Sequence, residues 1–205
     1  MIKIVEDAYL FKGALSEEQQ RAMIALYKDN LAHFYVPKLK SGHPMSLKMA
    51  CFGHHWSALD YKYHQTRTDA DMEDVKAFPD FLQQWAEPFS LACFPNEKPE
   101  WDICIANYYG LTSRLGMHSD NSESGASLQG KPIVSFSVGA DCIFKFGGPN
   151  RNDSYVDVRL SGGDAFVFGG SARKNYHGVS KIFLGASPFN NDLDFGRLNF
   201  TLRKL

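Results

Sequence analysis

From about residue 100 the chain becomes a run of short apolar or alternating segments, DICIANYY, PIVSFSVG, CIFKFGG, DVRLSGGDAFVFGG and RLNFTLRKL, separated by Gly, Asn and Asp turns. Strands this short, with turns this frequent, predict a sandwich or barrel rather than a parallel α/β sheet, since parallel strands need long crossovers between them. The paired glycines at 147–148, 162–163 and 169–170 mark tight corners. No internal repeat or low-complexity segment interrupts the pattern.

Upstream, SEEQQRAMIALYKDNLA (16–32) opens with Ser16 and Gln19 in capping-box spacing and continues with Met23, Leu26, Tyr27 and Leu31 at helical intervals. It predicts an amphipathic helix. A second helix is expected after Pro79 in PDFLQQWAEPF, with Phe81, Leu82 and Trp85 as its apolar stripe and Pro88 as its limit. Residues 36–75 mix Gly, Pro, His, Tyr and charge with little periodicity, the composition of a mobile or substrate-specific insertion. The expected organisation is one domain over 1–205, with an N-terminal helical segment to about residue 35 and a β core over 100–205.

With 205 residues, 44% of them hydrophobic, the chain can bury a full core. A formal net charge of −1 excludes an overall basic nucleic-acid binder but leaves a local basic groove open. Cys51, Cys93, Cys104 and Cys142 form no CxxC and no dense framework, as expected of buried or incidental thiols in a reducing cytoplasm without structural zinc. The opening MIKIVEDAYLF carries Glu6 and Asp7 where a signal peptide needs an apolar run, and no stretch reaches the roughly 20 apolar residues of a membrane span. A soluble cytoplasmic protein with no membrane partner is the expectation.

In RLGMHSDN, His118 and Asp120 are two residues apart. In an extended chain such side chains share a face and aim at one point. One carboxylate and two neutral imidazoles make the facial triad that holds Fe(II) and leaves coordination positions open. The same spacing also suits a surface turn with a solvated Asp. His177 in SARKNYHGVSK is the only histidine after His118 and would be the third ligand, or else an ordinary turn residue. The ending RLNFTLR sharpens the choice. Arg197, Asn199, Thr201 and Arg203 alternate with Leu198, Phe200 and Leu202, so one strand face carries all four polar side chains. That is either an exposed amphipathic edge strand or a wall whose two arginines bind a dicarboxylate bidentately.

Taken together these residues resemble the AlkB family of Fe(II)- and 2-oxoglutarate-dependent dioxygenases. The resemblance covers nearly the whole chain and is strongest from Asn107 to Arg203, through NYYG, HSD, PIVSFSVG, FKFGG, RND, GGDAFVFGG, YHGV and RLNFTLR in order. It implies an α+β, mainly β fold: a double-stranded β-helix (jelly roll) core with N-terminal helices and a substrate-recognition lid over 36–75. It also implies iron held by His118, Asp120 and His177, and 2-oxoglutarate surrounded by Asn107, Tyr109, Arg197, Asn199, Thr201 and Arg203. Arg197 would pair with the distal carboxylate and Arg203 with the end that chelates iron. Independently, alternation in ICIANYY puts Asn107 and Tyr109 on one strand face. Asp164 in GGDAF is read as shaping a turn.

On the substrate side, Trp56 and Tyr63 in GHHWSALDYKY match an aromatic pair on the family's lid, and Arg151 of RND would lie nearby. Trp56 is either a core aromatic or a stacking platform of the kind used for flipped or unpaired bases. His54 and His55, being adjacent, face opposite ways in a strand and are not read as a second metal site. The activity implied is oxidative demethylation of N-alkylated bases such as 1-methyladenine and 3-methylcytosine in DNA or RNA, a direct-reversal repair that consumes O2 and 2-oxoglutarate and releases formaldehyde, succinate and CO2. A monomer acting on a single-stranded or flipped base is expected. The sequence departs from the bacterial repair enzymes after Asp120: where they carry two adjacent acids toward the base, NSE leaves Ser122 and Glu123, which predicts a flatter preference for cationic lesions. The alternative is a 2-oxoglutarate-dependent hydroxylase acting on a protein or small molecule. A non-catalytic jelly-roll binder would leave the triad and the arginines unexplained.

Overall fold

Short strands joined by tight turns account for most of the regular structure. The computed structural model describes residues 1–120, 130–184 and 187–205. In chain order the strands are β1 (Ile2–Val5), β2 (Ala8–Phe11), β3 (Lys48–Phe52), β4 (His55–Trp56), β5 (Tyr63–His64), β6 (Ile103–Tyr109), β7 (Leu115–His118), β8 (Ile133–Gly139), β9 (Cys142–Phe146), β10 (Val156–Leu160), β11 (Ala165–Phe168), β12 (His177–Ile182) and β13 (Arg197–Arg203). Two helices, α1 (Glu17–Asp29) and α2 (Asp80–Cys93), complete the frame.

The strands form a seven-stranded sheet in the order β1-β2-β11-β8-β13-β6-β3, a four-stranded sheet in the order β10-β9-β12-β7 and the small β4–β5 pair. From β6 onward the chain passes repeatedly between the two large sheets, which is the jelly-roll path, and the strand pairs are antiparallel. Alternation along the strands then builds two apolar layers. One face of the large sheet gives Val134, Phe136, Val138, Leu198, Phe200 and Leu202 to a core shared with Met23, Ile24 and Tyr27 of α1 and Leu82 and Ala86 of α2. The opposite face meets the smaller sheet through Phe146, Phe166, Phe168 and Val179. Both helices therefore cover the outer face of the large sheet, and the space between the sheets is left for the site.

Both predicted helices form, with different ends from those expected. Ser16 Oγ accepts from Gln19 N at 3.1 Å while Ser16 N donates to Gln19 Oε1 at 2.9 Å, the reciprocal box its spacing called for. Helix α1 stops at Asp29, and Leu31 lies in a following single 3-10 turn, 52% exposed, rather than in the apolar stripe. Pro88 does not end α2 but lies inside it. Residues 84 and 88 face solvent, so water can satisfy the carbonyl that proline leaves without a donor. Beyond the proline, Phe89 packs against Phe11 and Phe136.

The segment up to residue 35 is not purely helical, because β1 and β2 precede α1 and β2 pairs with β11 at the margin of the large sheet. The stretch 36–75 likewise supplies more than an insertion, since β3 pairs with β6 over Lys48–Phe52 as the opposite edge. Asp164 is a turn organiser as read: its carboxylate takes bonds from Gly13 N at 2.9 Å and Ser161 N at 2.7 Å. Gly163, at φ +88°, provides the left-handed residue that this corner needs. Among the described residues no helix is long and apolar enough to cross a membrane.

Phe200 is fully buried at the centre of the sheet–helix core. Phe200→Ala is expected to lower stability by about 3–5 kcal/mol, as large-to-small changes in a filled core do, measured as a shift in the denaturant midpoint at unchanged slope.

Candidate active site

Strand β13 is not at an edge. It pairs with β8 on one side and β6 on the other, and both its faces are covered. Its polar face is therefore buried, and Arg197, Asn199, Thr201 and Arg203 line a cavity between the sheets. Register sets their neighbours. Arg197 lies opposite Tyr109, and Asn199 is flanked by Asn107 and Ser137.

His118 ends β7 and His177 begins β12, and the two are paired across the smaller sheet, with ring centroids 4.5 Å apart. The approach of these strands is close enough that a Cβ on Gly178 would meet Leu115 O at 2.6 Å, so only glycine fits after His177. Asp120 lies just past the end of β7 rather than within the strand, yet still converges. One ligand-capable atom from each of His118, Asp120 and His177 lies within 4.8 Å of the others.

The histidines are oriented as ligands. His118 Nδ1 lies 2.9 Å from Gly116 O and His177 Nδ1 2.9 Å from Asn175 O. A carbonyl only accepts, so each Nδ1 is the donor of its ring and each Nε2 is the nitrogen left to face a ligand. Burial and the neighbouring His118 push His177 down to about 4, so its ring stays neutral near pH 7. Burial opposes ionisation of Asp120, but Arg203 above all, then His177, His118 and Arg173, hold its carboxyl well below the usual carboxylate range. Arg203 Nη2 is 3.0 Å from Asp120 Oδ2, and Arg173 donates to the Asp120 carbonyl at 2.6 Å. Even so, Asp120 Oδ2 is buried without a hydrogen bond of good geometry to any described residue. Two neutral imidazoles and one such carboxylate fit a divalent cation of the facial-triad type.

Arg197 tests the second expected group. It is 1% exposed, donates from Nη2 to Ser137 Oγ at 2.9 Å and lies 5.4 Å over the Tyr109 ring, while Nε and Nη1 have no partner among the described residues. A buried guanidinium with two unused donors facing a cavity suits a carboxylate that enters from outside. Burial pushes the Tyr109 phenol far up, so it stays protonated and able to donate. Asn199 and Thr201 are in the wall as expected but are committed to it. Asn199 Nδ2 donates to Ser135 Oγ at 2.7 Å and Phe136 O at 3.0 Å, and its carbonyl accepts from Thr201 Oγ1 at 3.0 Å.

The substrate-side residues are less gathered. Trp56 and Tyr63 are cross-strand partners in the β4–β5 pair, half-buried against the inter-sheet core, and Tyr63 Oη accepts from Arg203 Nη1 at 3.4 Å. Neither is among the cavity-lining residues. Arg151 is not drawn to the cavity: it is exposed in the turn after β9, 5.3 Å over the Tyr176 ring. Ser122 and Glu123 lie outside the described residues. Conversely, Ser135 and Ser137, which hold Asn199 and Arg197, were legible as the period-two serines of PIVSFSVG and went unread. Arg173 carried no sequence signal, because its partner is a backbone carbonyl.

A buried cation with unused donors is a burden on the fold. Arg197→Met is expected to leave the ligand-free chain as stable as the wild type or up to about 4 kcal/mol more stable. Denaturant unfolding of both proteins checks this, and a clear loss of stability in the variant would mean that the guanidinium serves the fold instead of a ligand.

The 2OG-Fe(II) oxygenase superfamily profile matches residues 7–203. A DNA N(6)-methyladenine demethylase of Arabidopsis thaliana, ALKBH1C, is 34% identical over 190 residues, which are 83% of this chain and 42% of that protein. The chain thus spans about two fifths of the length of this relative and of its sister ALKBH1D. The AlkB homolog of Caulobacter vibrioides is 30% identical over 208 residues, 99% of this chain and 90% of that one. The solved structure of OsALKBH1 superposes with a TM-score of 0.88 at 29% identity, covering 100% of this chain and 99% of its own. With that profile along almost its whole length, and with the triad and the paired arginines meeting in one cavity, the chain belongs to the AlkB family of 2OG-Fe(II) oxygenases.

Proposed function

We propose that the protein is an Fe(II)- and 2-oxoglutarate-dependent demethylase of N-alkylated bases in DNA or RNA. The observation that carries the chemistry is the pairing, in one cavity, of a triad fit for a divalent metal with a buried arginine whose donors await a carboxylate. The nucleic-acid substrate is supported by the relatives, named as AlkB homologs and as a DNA N(6)-methyladenine demethylase.

His118, Asp120 and His177 would hold the iron, their outer hydrogen bonds keeping both imidazoles in the ligating tautomer. Arg197 and Tyr109 would take the distal carboxylate of 2-oxoglutarate, and Arg203, already beside Asp120, would neutralise the end next to the metal. Asn107 adds a polar contact, whereas Asn199, Thr201, Ser135 and Ser137 brace the wall. Iron and 2-oxoglutarate, once bound, supply with O2 the oxidising power that hydroxylates an N-alkyl group, so that a methyl leaves as formaldehyde while the cosubstrate becomes succinate and CO2. Leu115, Phe144, Phe168 and Val179 keep that space apolar and limit water near the reacting groups. Trp56 and Tyr63 would face the incoming base, single-stranded or flipped, as a stacking platform. The four free cysteines suit a reducing cytoplasm.

Purified protein with Fe(II) and 2-oxoglutarate should release succinate faster on oligonucleotides carrying a single 1-methyladenine, 3-methylcytosine or N6-methyladenine than on the unmodified strand. Release indifferent to every modified oligonucleotide would sink the nucleic-acid reading and favour a protein or small-molecule hydroxylase. His177→Ala should abolish release from a folded chain. Arg197→Met should weaken 2-oxoglutarate binding by roughly 2–5 kcal/mol, as loss of a desolvated charge partner does, read by calorimetric titration of the metal-loaded protein.

A further inference from the structure

The β4–β5 pair that carries Trp56 and Tyr63 is two residues on each side. A hairpin of that size is marginal at best by itself, so something else must fix its position. Beneath it lies a buried polar cluster that the chemistry of the cavity does not use. His55, immediately before Trp56, is fully buried, and its Nε2 is 2.5 Å from Asp69 Oδ1. The same carboxylate oxygen accepts from Tyr35 Oη at 2.9 Å, and Asp69 Oδ2 accepts from the Ala58 backbone at 3.0 Å. Among the described residues His55 Nδ1 is buried with no partner, so the ring bonds through Nε2, which donates to the Asp69 carboxylate.

Each bond leads to a different part of the chain. Tyr35 is bridged to Met49 of β3, the edge of the large sheet, while His55 and Ala58 belong to the hairpin and its turn. Asp69 is brought in by a loop that Arg67 pins. Arg67 donates to His33 O at 2.9 Å and to Asp71 Oδ2 at 2.6 Å, and lies 5.8 Å over the Tyr35 ring. This guanidinium also takes up His33 Nδ1, at 2.6 Å, so the convergence of His33 with Asp71 and Glu73 is spent on an arginine. At the other end of the hairpin, Tyr63 touches Arg203, next to Asp120. One side chain, the 1%-exposed carboxylate of Asp69, thus ties the hairpin to the sheet that holds the site.

We propose that Asp69 is a positioning residue for substrate: through His55 and the Ala58 amide it fixes the hairpin that presents Trp56 and Tyr63, and so sets how tightly a nucleobase is bound without taking part in the oxidation. This rests on the demethylase reading above. It fits the character of the cluster. Burial opposes ionisation of Asp69, but hydrogen bonds from His55, Tyr35 and Ala58 outweigh it and hold the carboxyl below its usual range. Such a network has one satisfied arrangement, and shifting any member leaves a buried charge unpaired.

Asp69→Asn keeps the shape and removes the charge. His55→Gln can still donate from its amide nitrogen toward Asp69, whereas His55→Leu cannot. In Asp69→Asn and His55→Leu, amide hydrogen exchange over residues 55–64 should quicken while β6, β8 and β13 keep their protection. The KM for a methylated oligonucleotide should rise about tenfold, the factor carried by one lost hydrogen bond of about that strength, with kcat and the slow succinate release without nucleic acid within about twofold of wild type. His55→Gln should recover most of the affinity. Unchanged exchange at 55–64 overturns the latch itself. Faster exchange with unchanged KM, or a fall in kcat equal to the rise in KM, overturns its role in binding. Absence of turnover on methylated oligonucleotides in the wild type would count against the demethylase reading alone, since hydrogen exchange still decides the latch.

Discussion

Everything in this molecule turns on one strand having two buried faces of opposite character. In β13 the alternation RLNFTLR sends Leu198, Phe200 and Leu202 into the core beneath α1 and α2 and sends Arg197, Asn199, Thr201 and Arg203 between the sheets. The first set is stabilised by leaving water, at roughly 1.5–3 kcal/mol for each fully buried large side chain. The second set is costly by the same measure, because polar groups and charges lose hydration. A strand of this kind persists only where it is held in place from both sides, and pairing with β6 and β8 over almost its whole length provides that. A one-residue slip would exchange the faces and lose both the core and the site.

The cost of the polar face is offset unevenly, and the unevenness is where ligands are expected. Asn199, Thr201, Ser135 and Ser137 satisfy one another across neighbouring strands and form a closed wall. Arg203 is compensated by Asp120. Among the described residues Arg197 has one hydrogen bond and an aromatic face, and its two other donor sites are unused. Among the described residues that line the cavity, two guanidiniums stand against one carboxylate, so positive charge outweighs negative there. A dication bound by the triad would raise that excess, and a dicarboxylate would return it to where it began, so the two groups are electrostatically complementary within this wall. Binding of one favours binding of the other without any movement of the protein.

How much of this could be read from the sequence follows from the range of the interactions involved. The capping box, the runs that became β6, β8, β9, β10, β11 and β13, the triad and the RxNxTxR face are local patterns, visible in a window of a few residues. Leu31 and Pro88 misled because each obeys a local rule that tertiary context overrides: α1 ends before Leu31 reaches the core, and the exposed side of α2 tolerates a proline. Strands β2 and β3 were missed because their partners, β11 and β6, are distant in the chain, and β1 joins the sheet only through β2, so these short runs look like any polar–apolar mixture until those partners are known. The residues around the triad were hidden differently. Arg173 acts on a backbone carbonyl, and Gly178 matters because of what another strand places next to it. Neither leaves a pattern in its own neighbourhood.

The same distinction explains why Trp56 and Tyr63 were legible as a pair of aromatics while the support of their hairpin was not. Trp56 and Tyr63 are seven positions apart and face each other across a hairpin too short to stand alone. Its support comes from Tyr35, His55, Ala58 and Asp69, which meet only after the chain has folded back from β3. An apolar footing would have been simpler to assemble, and Trp56 and Tyr63 do rest partly on the inter-sheet core. Apolar packing, however, is non-directional and tolerates small rotations, while a carboxylate shared among three donors does not. Where an aromatic platform has to stand at one distance from a metal site built on other strands, the directional contact is the one that can define that distance, which is why a buried His–Asp pair under a two-residue hairpin is better understood as alignment than as stability.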